Sequence, residues 1–242
     1  MGNLSGRIAL VTGGSRGIGR ACALALSRAG ADVAVNYKER EKEARLTADR
    51  VLEIGRRTVA IQADVSLSQE VVRLIGVVER ELGGIDILVN NAGLSRPRNI
   101  DSVTEADWDE TIAVNLKSVF LMTQAVLPGM RARGWGRIVN ITSGAAHTGG
   151  IVGPHYTASK AGMEGLTRAY AARLVKEGIT VNSVAPSIIA TDMIGGDRDL
   201  SKRIPMGRMG QADEVADAVV FAVGNAYLTG QTIPLNGGSY FR

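Results

Sequence analysis

Ile8-Ala9-Leu10-Val11 runs directly into Thr12-Gly13-Gly14-Ser15-Arg16-Gly17-Ile18-Gly19, and helical apolar spacing follows through residue 29. An apolar strand, a glycine turn and a helix in that order decide the fold. A diphosphate needs close backbone approach and free N–H groups at a helix N-terminus, and side chains would obstruct both. Gly13 supplies the turn, Gly17 the approach and Gly19 the tight helix–strand contact, with Ser15, Arg16 and Ile18 completing the cradle. The spacing, G-x-x-x-G-x-G, departs from the commonest dinucleotide fingerprint. Its place between the first strand and the first helix therefore carries the reading.

Outward from this turn, short apolar runs at 8–11, 33–36, 58–62, 85–90, 137–141, 180–185 and 232–235 alternate with longer stretches. Those stretches, 17–29, 40–54, 68–82, 104–133, 156–176 and 212–223, are long enough for helices. Strands without polar alternation are covered on both faces. The pattern predicts an α/β fold: one Rossmann-type, doubly wound sheet of seven parallel strands with helices on both faces. Ser66-x-x-Gln69 predicts a capping box opening the third helix. Gly30, Gly55, Gly83, Gly134 and Gly178 follow helical stretches, where a left-handed terminal residue is needed. No linker or composition shift divides residues 1–242, which read as one domain.

Composition narrows the chemistry. The single cysteine, Cys22, excludes an intramolecular disulfide framework and a multi-cysteine zinc site, and with only His147 and His155 besides, no metal is expected. Cys22 falls among Ala21, Ala25 and Leu26 and reads as packing. The formal charge is +4, but the cations are interleaved with acids in no run of five, so no nucleic-acid partner is expected. The N-terminus lacks the pattern of a signal peptide. No segment reaches the ~18 to 20 unbroken apolar residues of a membrane span, so the expectation is a cytoplasmic protein without a membrane partner.

The second apolar run ends Val35-Asn36-Tyr37-Lys38, without the acid that holds ribose hydroxyls in NAD-selective proteins. A carboxylate at that tip repels a 2′-phosphate, and Asn36 does not. Arg16, with Lys38 or Arg40, is available to pair with that phosphate, which favours NADP(H). Asp64-Val65, after the third run, meets the adenine edge or simply begins the next helix.

Tyr156 and Lys160 stand four apart at the start of a helix and share a face. Ser143 follows the fifth strand, at the carboxyl edge where such sheets bind ligands. Asn115 interrupts an apolar stripe of Trp108, Ile112, Leu116 and Val119; a buried Asn needs partners, whether structural or in a site.

On these residues the sequence resembles the short-chain dehydrogenase/reductase family over nearly its whole length. The likeness is carried by residues 12–19, Asp64, Asn90-Asn91-Ala92-Gly93, Asn115, Ser143, Tyr156-x-x-x-Lys160 and Leu235-Asn236-Gly237-Gly238. It implies Tyr156 as general acid, Lys160 as its activator and ribose ligand, Ser143 as binder of the carbonyl oxygen, and Asn115 as anchor of a water that meets Lys160. It further implies cofactor contacts at Asn91, Ala92, Gly93, Pro186, Ile189 and Thr191. A homotetramer is implied too, with the 104–133 and 156–176 helices at one interface. The chemistry agrees: a ketone receiving hydride needs a proton on oxygen, and a free phenol with pKa near 10 needs its phenolate stabilised by roughly 4 kcal/mol. A neighbouring ammonium and an oxidised nicotinamide both favour the phenolate, and Ser143 donates to the developing alkoxide.

Within the family the chain is most similar to the beta-ketoacyl-acyl-carrier-protein reductases, on Val114-Asn115-Leu116, Gly178-Ile179-Thr180-Val181-Asn182, Ala190-Thr191-Asp192-Met193 and Ile204-Pro205-Met206-Gly207-Arg208. That likeness implies NADPH-dependent reduction of a 3-oxoacyl thioester, on acyl-carrier protein or CoA, as in fatty acid biosynthesis. Arg131, Arg133, Arg168 and Arg173 are the cations offered to an acidic carrier, or are ordinary solvated charges. Two positions depart from the pattern: Pro186-Ser187 stands where Pro-Gly is common, and Ala171-Ala172-Arg173 where Ala-x-Glu is usual. A free ketone, sugar or other secondary alcohol remains an alternative substrate. So does a non-catalytic nucleotide sensor, which has no use for the intact proton relay. The segment 187–210 is expected to cover the substrate, with Gly195-Gly196 as its flexible point and Met193, Ile194, Met206 and Met209 as lining or as core. His147 and His155 line the pocket or serve the loop.

Overall fold

The computed structural model describes residues 3–194 and 200–241. Among these, seven strands form the sheet: β1 (Ile8–Val11), β2 (Asp32–Tyr37), β3 (Thr58–Gln62), β4 (Ile87–Asn90), β5 (Gly136–Ile141), β6 (Ile179–Pro186) and β7 (Thr232–Leu235). Their order is β3-β2-β1-β4-β5-β6-β7, and every pairing is parallel. The helices are α1 (Gly17–Arg28), α2 (Glu41–Glu53), α3 (Ser68–Glu81), α4 (Glu105–Ile112), α5 (Ser118–Arg133), α6 (Ala145–Thr148), α7 (Pro154–Leu174) and α8 (Ala212–Gly224).

Successive strand residues point to opposite faces, and each face is apolar. Val11, Val89 and Val139 pack with α1 and α8, while Leu10, Leu88 and Ile138 pack with α3 and α5. Both faces are therefore closed to water, as the unbroken apolar runs require. Cys22 is fully buried in the first of these cores, and burial pushes its thiol up to about 12, which leaves it inert. The chain winds from β1 toward β3 and then crosses back to β4 on the other side of β1. That reversal opens a crevice at the carboxyl ends of β1 and β4.

Three local expectations fail. Ser66 does not cap α3: the helix begins at Ser68, and the Ser66 hydroxyl instead donates to Asp64 Oδ1 at 2.6 Å. True capping boxes occur at Thr104/Asp107 and Gln211/Glu214. The 104–133 stretch is not one regular helix, because a π-helical turn at Ala113–Lys117 separates α4 from α5. The Trp108–Ile112–Leu116–Val119 stripe is the inner face only in part. Trp108 is 42% exposed and Ile112 and Leu116 are half-buried, whereas Val119 is buried with Thr111, Asn115 and Ser118. Asn115 is accepted inside because it bonds Leu94 and Ser159, and Ser118 because its hydroxyl donates to Val114 O. Glu105–Arg133 is long and apolar enough by composition to cross a membrane; here Val126, Leu127 and Met130 of α5 belong to the core beside β4 and β5.

A buried polar chain ties the sheet to α7. Asn90 Nδ2 donates to Asn140 Oδ1 at 2.9 Å, Asn140 Nδ2 to Thr167 Oγ1 at 2.8 Å, and Thr167 meets Ser183 at 2.7 Å. Each group is satisfied, so the chain fixes α7 against β4, β5 and β6 rather than weakening the core.

Candidate active site

The crevice at the β1/β4 reversal is a cleft of about 370 Å³, lined by Gly13, Ser15, Arg16, Gly17, Ile18, Gly19, Asn36, Tyr37, Lys38, Asp64, Val65, Asn91, Ala92, Gly93 and Thr191. Glu39, Arg40, Leu94, Arg96, Glu110, Val114, Asp192 and Met193 line it too. Pro186 and Ile189 lie outside that lining: Pro186 ends β6 and its carbonyl accepts from Gly144 N–H, and Ile189 is buried in the core. Met206 faces a separate recess beside Gly237, and Gly195-Gly196 lie outside the described residues.

The cleft's edges are held by side chains whose chemistry requires them. Thr12 Oγ1 accepts from the N–H groups of both Asn91 and Ala92, at 3.0 and 2.9 Å. Asn91 Nδ2 donates back to the carbonyls of Thr12 and Gly13. The ends of β1 and β4 are thereby clamped. Asn36 is buried: its Oδ1 accepts from Gly13 N–H at 3.3 Å while its Nδ2 donates to Ala63 O at 3.0 Å. A carboxylate could not make that second bond, so Asn36 serves the loop as well as leaving the tip uncharged.

The residues present fit a dinucleotide. No side chain caps the N-terminus of α1, so its first N–H groups keep their positive field open toward the cleft. The glycines keep the approach clear: a Cβ on Gly19 would lie 2.2 Å from Gly13 O. At the β2 end the cations are already engaged. Arg16 Nη1 meets Asp192 Oδ2 and Lys38 Nζ meets Asp64 Oδ2, each at 2.8 Å, and Arg40 meets Glu43 at 3.2 Å. Asp64 thus holds Lys38 and the Ser66 hydroxyl rather than opening α3.

Ser143, Tyr156, Lys160 and Asn115 converge at the carboxyl edge of β5. Ser143 Oγ accepts from Ala145 N–H at 3.1 Å, and the Ser143 hydroxyl stands near enough to the Tyr156 phenol to draw its pKa down. Lys160 Nζ donates to Ile141 O at 2.9 Å and lies 5.8 Å from the Tyr156 ring centroid. Asn115 Oδ1 accepts from Leu94 N–H, and its Nδ2 donates to Leu94 O and Ser159 Oγ. Both of its amide hydrogens are therefore spent on the protein; Ser159, one position before Lys160, is a partner the sequence did not suggest. Gly93 closes the group, since a Cβ there would lie 3.6 Å from Lys160 Nζ.

The expected depression of the tyrosine is not produced by the protein's own groups. Burial pushes Tyr156 up, and the nearby Ser143 hydroxyl draws it only partly back. Burial also brings Lys160 down to about 8. At neutral pH the phenol keeps its proton, which is the form a general acid needs.

The cations offered to a carrier lie elsewhere. Arg133 pairs with Asp86 at 3.1 Å and Arg131 with Glu177, both at the amino edge of the sheet, opposite the cleft. Arg173 sits in the last turn of α7, which descends to the same edge. Arg168 faces Glu164 at 3.7 Å. His155 is buried with Nε2 at 3.2 Å from Arg96 O, and His147 pairs with Glu164; neither lines the cleft.

Residues 7–200 match the short chain dehydrogenase family. An acetoacetyl-CoA reductase of Rhizobium meliloti (strain 1021) is 44% identical over 243 residues, covering 97% of this chain and 99% of the relative. The 3-oxoacyl-[acyl-carrier-protein] reductase FabG of Staphylococcus epidermidis is 41% identical over 239 residues, covering 96% and 98%. In three dimensions the chain is similar to a putative short-chain alcohol dehydrogenase from Sinorhizobium meliloti 1021. Their TM-score is 0.92 at 38% identity, covering 98% of this chain and 97% of the other.

Proposed function

The chain belongs to the short chain dehydrogenase family of oxidoreductases, and from that premise we propose that it reduces the 3-oxo group of an acyl thioester with NADPH. The observation that carries the proposal is the convergence of a half-buried Tyr156, Ser143 and Lys160 beside a cleft shaped for a dinucleotide. The names of the relatives, an acetoacetyl-CoA reductase and a 3-oxoacyl-carrier reductase, support the thioester. The carrier is coenzyme A or acyl-carrier protein.

Gly13, Gly17, Gly19 and Asn91 would hold a reduced nicotinamide dinucleotide in the cleft, and that group would supply the hydride for the substrate carbonyl carbon. Ser143 holds the carbonyl oxygen, and its hydroxyl meets the negative charge that develops there. Tyr156 gives that oxygen its proton. Lys160 lies beneath, anchored on Ile141 O, where its ammonium stabilises the phenolate left behind. Asn115 fixes the floor by joining the loop that follows β4, through Leu94, to α7, through Ser159. Arg16 and Lys38 receive the 2′-phosphate, exchanging Asp192 and Asp64 for it. The outward apolar face of α4 and α5, with Trp108 and Phe120 (45% exposed), suits contact with a second copy in a homotetramer.

Two variants test parts of this reading. Arg16→Ala removes one charge-assisted phosphate contact, worth about 1.5–3 kcal/mol before the competing carboxylate is counted. The KM for NADPH should rise about tenfold while that for NADH stays within twofold, as steady-state kinetics will show. Lys160→Met separates stability from activity. The folded-state pKa of Lys160, about 8, lies below its ordinary 10.5, so folding releases a proton that the unfolded chain keeps. Stability therefore falls as pH drops from about 10.5 toward 8 and is lowest below that. Met removes this cost, offset by the lost bond to Ile141 O. Calorimetry should show Tm at pH 7 raised by about 2–4 °C, a gain that vanishes near pH 10.5, with turnover down about a hundredfold.

A free-ketone substrate is the second reading, favoured by the placement of Arg131, Arg133 and Arg173 away from the cleft. NADPH oxidation with an acetoacetyl thioester, against a panel of free ketones, decides it. Turnover confined to free ketones overturns the thioester.

A further inference from the structure

We propose that His147 and Glu164 are positioning residues that hold the Ser143 turn at its working distance from the Tyr156 helix; this rests on reading Ser143 and Tyr156 as the reacting pair. On α7, Tyr156, Lys160 and Glu164 follow at intervals of four and share one stripe. Opposite them, His147 follows Ser143 by four residues, about one turn along the chain. His147 Nε2 lies 2.8 Å from Glu164 Oε1, with the two side chains only 7% and 5% exposed. The approach of Ser143 to Tyr156 and the His147–Glu164 pair are thus two rungs between the same two elements. The second rung sets the length of the first.

The turn needs such a rung. α6 is a single turn, bounded by Gly144 and by Gly149 and Gly150. Besides the pair, the Thr157 hydroxyl donates to Gly149 O at 2.7 Å, beyond the far end of α6 from Ser143. Their 2.8 Å approach is a charge contact, since neither His147 Nε2 nor Glu164 Oε1 meets hydrogen-bond geometry with any partner among the described residues, each other included. The groups that face the pair are Arg168, 3.7 Å from Glu164 Oε2 on α7, and Tyr240 of the C-terminal tail, whose ring centroid is 5.4 Å from that of His147. The Tyr240 hydroxyl is buried and unpartnered, so the tail seals the pair from water. Imidazole and carboxylate hold one another by charge across this contact while the ring is protonated and the carboxylate is not. A second proton neutralises the carboxylate and releases the rung, so turnover falls in acid.

The test uses Glu164→Gln and His147→Gln, singly and together, in the full chain. Thioester reduction is followed across pH and Tm is measured alongside. Each single variant should lower kcat about tenfold with substrate KM within twofold, as a small misplacement of reacting groups does. The double variant should lose no more than the worse single one, and the acid limb of kcat should move in Glu164→Gln. His147→Gln, which keeps a neutral hydrogen-bonding side chain, carries the test should Glu164→Gln fail to fold. A lowered Tm with kcat within twofold and an unmoved acid limb overturns the inference, as do additive losses. Tyr156→Phe run in parallel separates the two levels. If it keeps turnover, the reading of the reacting pair fails; if it alone loses turnover, only the positioning role fails.

Discussion

Tyr156→Phe should lower kcat about a thousandfold while the NADPH dissociation constant moves less than about threefold. The ring is half-buried near the start of α7 and phenylalanine keeps its shape, so its packing is preserved and only the hydroxyl is lost. That hydroxyl is the proton source, and a positioned general acid contributes roughly 10²- to 10⁴-fold. In the wild type, burial keeps the proton on Tyr156 through neutral pH, so the rate of ketone reduction should be flat there and fall in alkali as the phenol ionises. The variant should show a low rate without that alkaline fall. Steady-state rates across pH, with NADPH binding followed by fluorescence, check both halves. A protein that only sensed the nucleotide would bind NADPH alike in both forms, and its wild type would show no turnover to lose.

Gly19→Val should abolish tight dinucleotide binding. Gly19 begins the second half of the first turn of α1, where a Cβ would sit 2.2 Å from Gly13 O and 2.5 Å from Asn91 Nδ2. The first of these atoms is backbone. The second belongs to the clamp that ties Asn91 to Thr12 and Gly13, so neither can give way without opening the cradle. Overpacking of this kind costs about 1–3 kcal/mol in a well-packed site. If the loop absorbs the upper part of that cost by moving off α1, the NADPH dissociation constant rises about a hundredfold. Titration of the purified variant, with Tm to confirm that it folds, gives the result. Gly55 is the contrast: nothing lies within 4 Å of its Cβ position, although its φ of +83° still favours glycine.

The fold was legible because parallel strands covered on both faces cannot hide. Leu10, Leu88 and Val89 are apolar with no polar alternation, and the observed strand limits differ from the expected ones by at most two residues. Helix interiors were less open to reading. The π turn at Ala113–Lys117 leaves no mark on apolar spacing, and Trp108 turned outward while Val119 of the same stripe stayed inside beside the bonded Asn115. Ser66 matched a capping pattern, yet Asp64 claims its hydroxyl from two residues back.

The site divides along the same line. Glycines between strand and helix, and a tyrosine four residues before a lysine, are local patterns. Arg16–Asp192 spans 176 residues, and the partnership of Asn115 with Ser159 joins two separate helical segments. No spacing announces such contacts. The rise in the Tyr156 pKa was also out of reach, since it depends on how completely the ring is enclosed.

The most direct test of the account is the fate of the hydride. NADPH carrying deuterium at both C4 positions should be incubated with an acetoacetyl thioester and the protein, and the product examined by mass spectrometry and NMR. The account predicts a 3-hydroxyacyl thioester with one deuterium on the hydroxyl-bearing carbon and a solvent proton on its oxygen. Unlabelled product, or no 3-hydroxyacyl product while NADPH is bound, would contradict it.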